Sequence, residues 1–309
     1  MTTQAFIGKK ILETFLTLLL VTIMSFVLMR ISPVDPAVAY AKRQSPIVTG
    51  EQVEEARALL GLNKPLYLQY GEWVVKGLKG DFGLSLRSGH PVREELAKAL
   101  PHTLTIVGIS SVMIVFGVLI FGVVNYFLRN SPLMILLKIF YTILIATPPF
   151  YLAIIYLDFF ALKLGLIRVV GNTGPMQYFV PSLCLSIFGV CLYSQLLGKN
   201  LELEMYEDYV SYARCRGLSE IRILCTYAMP HALLKIIPSM MQMLGFLMTG
   251  AAIVESTCSL PGLGNTLIES VIQRDSPMIH GEVLILALTF VVFNLLSDVL
   301  RRLFDEEIS

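Results

Sequence analysis

The stretch TLTIVGISSVMIVFGVLIFGVVNYFL (103–128) contains no charged residue. A transmembrane helix needs about 20 mostly apolar residues to cross about 30 Å of hydrocarbon, and this stretch is long enough to do so. The whole chain of 309 residues is 55% hydrophobic and only 15% charged, whereas soluble domains carry about 25% charged residues. Because so few charges cannot cover a water-facing surface, the sequence predicts an all-α integral membrane protein.

Apolar segments on both sides of this stretch bring the predicted number of transmembrane helices to six. They lie at about 11–29, 103–128, 133–157, 178–198, 236–255 and 281–300. The first follows Lys9 and Lys10 and has no good cleavage site after it, so we interpret it as a retained helix and not as a signal peptide. The net charge of +1 offers no general basic field for nucleic acid.

Lys and Arg residues in the short links give the orientation, since these residues accumulate on the cytoplasmic side. With six crossings they share one side of the membrane: Lys9, Lys10, Arg129, Lys199, Arg214, Arg216, Arg222, Lys235, Arg301 and Arg302. The sequence therefore predicts one transmembrane domain over 1–309, with both termini and a loop at 199–235 in the cytoplasm. The segment 30–102 is then extracellular.

The extracellular segment carries two helix signals. TGEQVEEARALLGL (49–62) begins with Thr49, which can cap a helix, and has Glu in the first turn. VREELAKAL (92–100) is typical of a separate short amphipathic helix before the second span. We expect a small helical cap here and not a separate domain.

The loop at 199–235 contains YARCRGLSEIRILCTYAMPHAL (212–233), which is unusually polar for this chain. Before it, Tyr206, Tyr209, Val210 and Ala213 are spaced i, i+3, i+4, i+7, which is one apolar face of a helix. Arg214 and Arg216 leave that face. Such an element is too polar for lipid and too apolar to float free. We expect it either to dock on a partner or to lie on the membrane surface or on the chain's own helices.

A corner follows at Gly217, because glycine permits a positive φ and ends helices. Ser219 can cap a second helix, with Glu220 in its first turn, and Pro230 starts or kinks the next element. The second helix has an apolar face formed by Ile221, Leu224 and Ala228. The prediction is two short helices that meet at a glycine corner.

Polar and helix-breaking residues within the spans are candidates for function. Pro148 and Pro149 free backbone carbonyls, so their face either lines a pathway or forms a kink at a helix contact. Asp158, Glu255 and Asp298 lie near span ends, where we expect water to reach them; a structural role is the preferred interpretation. The lone residues His231 and His280 are not expected to bind metal.

The stretch ARCRGLSEIRILCTYAMPHAL (213–233) resembles the cytoplasmic signature of ATP-binding-cassette (ABC) importer permeases, the EAA loop. Ala213, Gly217 and Pro230 match it most directly. The usual Glu-Ala-Ala is replaced by Tyr212, Ala213 and Arg214, which is similar to the peptide and nickel branch.

Other stretches resemble the same branch in the same order along nearly the whole chain. They are RISPVDPA (30–37), LGLNKPLYLQYGEWV (60–74), GDFGLSL (80–86), ATPPFYLAI (146–154), IVESTCSLPGLGNTL (253–267) and RDSPMIHG (274–281). The resemblance implies the fold of a type I ABC importer permease in a bacterial cytoplasmic membrane. The segment SLPGLGNTL (259–267) is then an outer loop, although a re-entrant gate or a plain turn would also fit its Gly and Pro content.

The resemblance also implies partners: a second related permease chain, two ATP-binding subunits and an extracellular solute-binding protein. This chain has no GxxxxGK[ST] phosphate loop, so ATP and Mg²⁺ are expected at the partner subunits and no cofactor on this chain. The expected ATPase-coupling residues are Tyr209, Ala213, Arg214, Arg216, Gly217, Leu218, Glu220 and Pro230. The expected pathway residues are Pro148, Pro149, Glu255, Pro261, Gly262 and Gly264.

Two other functional classes remain alternatives. A six-helix secondary transporter or channel acting without an ATPase would show matched halves and buried charge pairs, and no matched halves are visible. An intramembrane enzyme would need a converging nucleophile and base or metal ligands, and none converge here. The cargo stays open between peptides, which we favour, and nickel or metal chelates.

Overall fold

The structure is a computed structural model that describes residues 3–31, 35–44, 47–165 and 176–308. Within these residues the chain is helical, apart from loops and one isolated bridge between Leu84 and Pro91. The all-α prediction is confirmed. The motif RISPVDPA (30–37) includes residues 32–34, which lie outside the described residues, so its interpretation stays a prediction.

Fourteen α-helices are formed by the described residues. In chain order they are α1 Thr3–Ile31, α2 Pro36–Gln44, α3 Gly50–Leu59, α4 Leu66–Leu78, α5 Val92–Leu128, α6 Leu133–Ala146, α7 Pro149–Leu157, α8 Met176–Glu204, α9 Asp208–Cys215, α10 Glu220–Ile223, α11 Met229–Leu234, α12 Ile237–Thr257, α13 Leu263–Gln273 and α14 Ser276–Ile308. Two π-helical segments, Asp158–Lys163 and Leu224–Ala228, continue α7 and α10.

Five of these helices are long and apolar enough to cross a membrane, judged within the described residues. The apolar parts are Gly8–Leu28, Val92–Leu128, Gln177–Glu204, Ile237–Thr257 and Ser276–Phe304. The pair Leu133–Ala146 and Pro149–Phe160 forms a sixth crossing if it is counted as one span. These two helices meet at a bend of 97°. The predicted third span, 133–157, therefore contains a sharp bend at Pro148 and Pro149, where the sequence indicated either a pathway or a kink.

Two adjacent prolines explain the bend. A residue that precedes proline is driven out of the α region, and Thr147 has φ −86° and ψ 121°. The freed groups are satisfied locally, since the Thr147 hydroxyl donates to the Ile143 carbonyl at 2.7 Å. Pro148 then accepts from the Tyr151 amide at 3.0 Å as the new helix begins. These bonds replace part of the backbone hydrogen bonding that a break within a membrane would otherwise leave unsatisfied.

The second span begins earlier than predicted. VREELAKAL (92–100) is the first part of α5 and not a separate helix, and Pro101 lies inside α5. Proline removes one backbone hydrogen bond from a helix interior. The chain tolerates this loss, so an apparent boundary in the sequence becomes one helix of 37 residues.

Two compact units divide the chain: Met1–His102 with Pro261–Thr289, called unit 1, and Thr103–Leu260 with Phe290–Ser309, called unit 2. The predicted single domain over 1–309 stays a prediction. Unit 2 centres on α8, which packs against α6, α7, α11 and α12.

Glycines let α5 and α8 approach closely in unit 2. A Cβ atom built on Gly117 would lie 2.7 Å from Val190, and one on Gly122 would lie 2.6 Å from Leu197. On the facing helix, a Cβ on Gly198 would lie 2.7 Å from the Asn125 Cβ. Lipid provides no hydrophobic driving force for helix association, so van der Waals packing matters more, and small residues allow the backbones to pack closely. This contact therefore depends on the absence of side chains on both helices.

In unit 1 the loop after α4 is held by one buried carboxylate. Asp275 is fully buried and accepts from the Leu86 and Arg87 amides, each at 3.0 Å, and from the Ser85 hydroxyl. It also accepts from the Met278 amide at 3.4 Å in the first turn of α14. These bonds compensate for the cost of burying the carboxylate.

The helix signal at Thr49 is confirmed. The Thr49 hydroxyl accepts from the Gln52 amide, and the Gln52 side chain accepts from the Thr49 amide, which is a capping box. α3 packs with α2 through a small apolar core that includes Ala37, Ala41 and Ala56.

Candidate coupling surface

Residues 206–235, called the elbow, contain α9, α10, the second π-helical segment and α11. Gly217 forms the corner with φ +78°. Its amide donates to the Arg214 carbonyl at 2.9 Å, and the Leu218 amide donates to the Ala213 carbonyl at 3.3 Å. This pair of bonds is the Schellman motif that ends helices at glycine. The predicted glycine corner is confirmed.

The inner face of the elbow packs on the chain itself. Val210, Ala213, Ile223, Leu224 and Ala228 are all buried, with exposures between 0% and 3%. The second π-helical segment and α11 both contact α8. Ala213 is therefore an internal packing residue in this chain, and its assignment as an ATPase-coupling residue stays a prediction.

The outer face of the elbow carries uncovered large side chains. Tyr206, Tyr212 and Ile221 are 77%, 67% and 69% exposed. Tyr206 and Ile221 were each predicted to share one apolar face with residues that are buried here, and that predicted grouping is wrong. Tyr206 lies in the turn before α9, so helical spacing does not apply to it. Ile221 lies on the outer face of α10, whereas Ile223 and Leu224 are the buried side chains of this segment.

An ion pair closes the corner from the outside. The Arg214 guanidinium donates to both Glu220 carboxylate oxygens, at 2.7 and 3.1 Å. This hydrogen bond lowers the pKa of Glu220 and raises the pKa of Arg214, although both groups remain open to water. Arg216 instead lies 5.9 Å from the centre of the Tyr212 ring. Three of the four residues are predicted site residues, and the corner brings them together.

The remaining predicted elbow residues lie where the sequence placed them. Ser219 is the N-cap residue of α10, but its side chain makes no capping hydrogen bond. Leu218 is half-buried, and Pro230 is exposed in the first turn of α11. Pro230 therefore starts a helix, which was one of the two outcomes predicted for it.

A buried charge beneath the elbow was not found from the sequence. Glu204, the last residue of α8, is 3% exposed. It accepts from the Tyr209 hydroxyl and pairs with the Lys235 ammonium group. Burial and the hydrogen bond to Glu204 raise the pKa of the Tyr209 hydroxyl, which therefore stays a donor. The Tyr209 ring also lies 5.2 Å from the His231 ring.

The charges near span ends differ in their exposure. Glu255 is fully buried in α12, where it accepts from the Thr103 hydroxyl at 2.6 Å. The expectation that water reaches it is wrong, and the bond agrees with a structural role. Asp158 and Asp298 are half-buried, and Asp158 pairs with Lys163 at 2.9 Å.

The other expected pathway residues fall in different parts of the chain. Pro148, Pro149 and Glu255 belong to unit 2, and Pro261, Gly262 and Gly264 belong to unit 1. SLPGLGNTL (259–267) is a turn followed by a helix, since Gly262 is the N-cap residue of α13 and Gly264 is buried within it. The pathway assignment stays a prediction.

Glu282 is a second buried carboxylate that sequence reasoning missed. It lies in α14 and is fully buried. Among the described residues, neither of its carboxylate oxygens has a hydrogen-bond partner, although the Thr266 and Ser270 hydroxyls lie near it. The sequence feature that could have revealed it is a single Glu within the sixth predicted apolar segment, 281–300.

Two protein-family matches cover nearly the whole chain. Residues 113–309 match the family described as "Binding-protein-dependent transport system inner membrane component". Residues 3–107 match the family described as "Binding-prot-dependent transport system membrane comp, N-term". The chain belongs to the inner membrane component family. It is thus a multi-pass permease subunit of an ABC importer in the cytoplasmic membrane, and it works with other components of that importer.

Similar proteins of this family match along nearly their whole length. The metal-staphylopine import system permease protein CntB of Staphylococcus aureus is 31% identical over 97% of this chain and 96% of its own. The glutathione transport system permease protein GsiC of Escherichia coli K12 is 31% identical over 96% of this chain and 95% of its own. Both are permeases, so the recognition of this family from the elbow is confirmed.

A solved structure shares the fold. The MetNI methionine ABC transporter in an inward-facing conformation has a chain with a TM-score of 0.54 and 17% identity to this permease. The match covers 68% of this permease and 95% of that chain. It supports the predicted fold class of an ABC importer permease.

Proposed function

We propose that this permease lacks an ATPase site of its own and is driven by a separate ATP-binding subunit that docks on the outer face of the elbow. The observation that carries this proposal is the division of the elbow into two faces. The inner face is packed, while Tyr206, Tyr212 and Ile221 stay uncovered beside the Arg214 and Arg216 cations. Exposed apolar side chains rimmed by charges are typical of protein interaction sites.

The same proposal sets the orientation. The elbow and both termini lie in the cytoplasm, where ATP is available, and residues 30–102 lie outside. Its support is the concentration of Lys and Arg in the short links on one side. Two ATP-binding subunits, which hold ATP and Mg²⁺, a second related permease chain and an extracellular solute-binding protein complete the importer.

The cargo is a small peptide-like solute, with a metal chelate as the alternative. This assignment rests on the names of the similar permeases, which serve glutathione and metal–staphylopine import. Uptake of radiolabelled glutathione and of a nickel–histidine chelate by cells with and without this chain distinguishes the two cargo classes.

Native cysteines provide the test of docking. Cys215 and Cys225 are exposed on the elbow, whereas Cys184 and Cys191 are buried. Variants that keep only Cys215 or only Cys225 are treated with a bifunctional thiol–amine cross-linker in membranes that contain the ATP-binding subunits. We expect each to form a cross-linked product that contains an ATP-binding subunit.

A variant that keeps only the half-buried Cys258, which lies outside the elbow, is the matched control and should give no such product. If neither elbow cysteine ever captures an ATP-binding subunit, the proposal is wrong. Transport by the purified chain alone would instead favour a secondary transporter or channel.

A further inference from the structure

The buried carboxylate Glu204 holds three elements together. It ends α8, a predicted span, and accepts from Tyr209 on α9, the first helix of the elbow. It also pairs with Lys235, which links α11 to α12, another predicted span. One side chain therefore ties the end of α8 to both ends of the elbow, and Lys235 lies two residues before the start of α12.

Burial makes this connection stiff. Carboxylates are almost never fully buried unless they are paired, and Glu204 is 3% exposed. The Lys235 side chain is 40% exposed, so water reaches that partner. The Glu204 carboxylate is buried, and it would be left uncompensated if its contacts opened. Movement of the elbow away from α8 would therefore leave the buried Glu204 carboxylate without its two partners.

Glu202 shows that the position and not the residue type creates this arrangement. It lies on the same helix two residues earlier, but its side chain is 42% exposed and its pairing atom is 3.8 Å from Arg129. An exposed pair of this kind contributes little. Glu202 is the natural control for Glu204.

We propose that Glu204 is a positioning residue that makes the elbow, the end of α8 and the start of α12 move as one body when the ATP-binding subunits close. This proposal rests on the proposed function, because it assigns the transmission step to the surface that docks. The Tyr209 hydroxyl and the Lys235 ammonium group are the two contacts through which Glu204 acts.

The test measures a distance between the elbow and α12. Nitroxide labels are placed on Cys215 and on Phe246→Cys, an exposed position of α12, with the other cysteines replaced by serine. The assembled importer is then examined by pulsed electron paramagnetic resonance, with and without ATP and orthovanadate. We expect the distance to stay constant in the unmodified background and in Glu202→Gln.

In Glu204→Gln we expect assembly with the ATP-binding subunits and ATP hydrolysis to persist. The label distance should match the background without nucleotide but shift or broaden by at least about 2 Å with ATP and orthovanadate, which is the scale of helix shifts in switching proteins. Tyr209→Phe removes only a hydroxyl and should act in the same direction. The double variant Glu204→Gln with Lys235→Met should change the label distance no more than Glu204→Gln alone, because both substitutions break the same network.

A constant distance in Glu204→Gln with nucleotide would overturn the proposal. A label distance in Glu204→Gln that is already altered without nucleotide would also overturn it. Loss of assembly in both Glu204→Gln and Tyr209→Phe would do the same, because each of these results indicates a purely structural role. Failure of the unmodified chain to assemble with ATP-binding subunits would instead contradict the proposed function itself.

Discussion

At the residue scale, Gly217 shows how one backbone angle shapes the elbow. The sequence predicted a helix end here because glycine permits a positive φ. A Cβ at Gly217 would meet nothing within 4 Å in this chain, and φ is +78°. The left-handed region costs most residues roughly 1–2 kcal/mol, so the backbone and not space makes glycine necessary within this chain.

Replacement of Gly217 therefore separates two kinds of side chain. Gly217→Val is expected to insert normally into the membrane but to lose transport, because β-branched residues avoid positive φ. Gly217→Asn is expected to retain transport, because Asn tolerates this region. Uptake assays measure the transport of each variant, and blots of membrane fractions measure its insertion.

Gly61, with φ +66° in the segment between the first two predicted spans, is the matched control. Gly61→Val introduces the same strain away from the elbow and should leave binding of the ATP-binding subunits unchanged. Normal uptake by Gly217→Val with its partner subunits attached would refute this prediction.

Glu282 is the residue whose burial is least compensated among those described. An unsatisfied buried polar group costs about 1–3 kcal/mol, and an apolar group of similar shape removes that cost. We therefore expect Glu282→Met to raise the unfolding temperature of the purified chain, measured by tryptophan fluorescence on heating. Thr103 stabilises Glu255, so Glu255→Met should lower that temperature; equal losses in both variants would contradict the prediction.

At the scale of elements, helix contacts in unit 2 depend on small residues and on bonds between helices. The Tyr193 hydroxyl of α8 donates to the Ser239 carbonyl of α12 at 2.6 Å, and the Ser297 hydroxyl of α14 donates to the Pro238 carbonyl at 2.6 Å. Such bonds add modestly to packing in membranes. The close approach of α5 and α8 through glycines is the more demanding feature, since one methyl group would disturb it.

Gly198→Ala tests that contact. The added Cβ would lie 2.7 Å from the Asn125 Cβ and 3.2 Å from the Gly122 carbonyl oxygen, so a helix must shift. We expect a loss of about 1–3 kcal/mol in the free energy of unfolding, as for other overpacked cores. Denaturant titration in detergent measures it.

Gly108→Ala is the control for this experiment, because a Cβ there meets nothing within 4 Å. It should be neutral or slightly stabilising, since alanine is the better helix former. Equal stability of the two variants would show that α5 and α8 do not pack as described.

At the scale of the whole molecule, orientation is the property on which the function depends. An impermeant thiol reagent applied to intact cells should label Leu78→Cys, which replaces the 84% exposed last residue of α4, but not the native Cys215 of the elbow. Labelling of Cys215 should appear only after the membrane is opened. The reverse pattern would place the elbow outside the cell, where no ATP-binding subunit could reach it.

The sequence by itself determined the class of the chain, its apolar spans, the capping box at Thr49 and the glycine corner at Gly217. Each of these is a local property: composition, a run of apolar residues, or one backbone angle that few residues adopt. The order of the motifs along the chain was also sufficient to identify the permease family.

Only the tertiary structure decided which faces are buried. It placed Ala213 inside and Ile221 outside, joined VREELAKAL to α5 and buried Glu204 and Glu282. Helical spacing cannot separate these outcomes, because a stripe shows which residues share a face but not what covers it. The cover comes from helices distant in sequence, and it also decides whether a charge such as Glu204 finds partners.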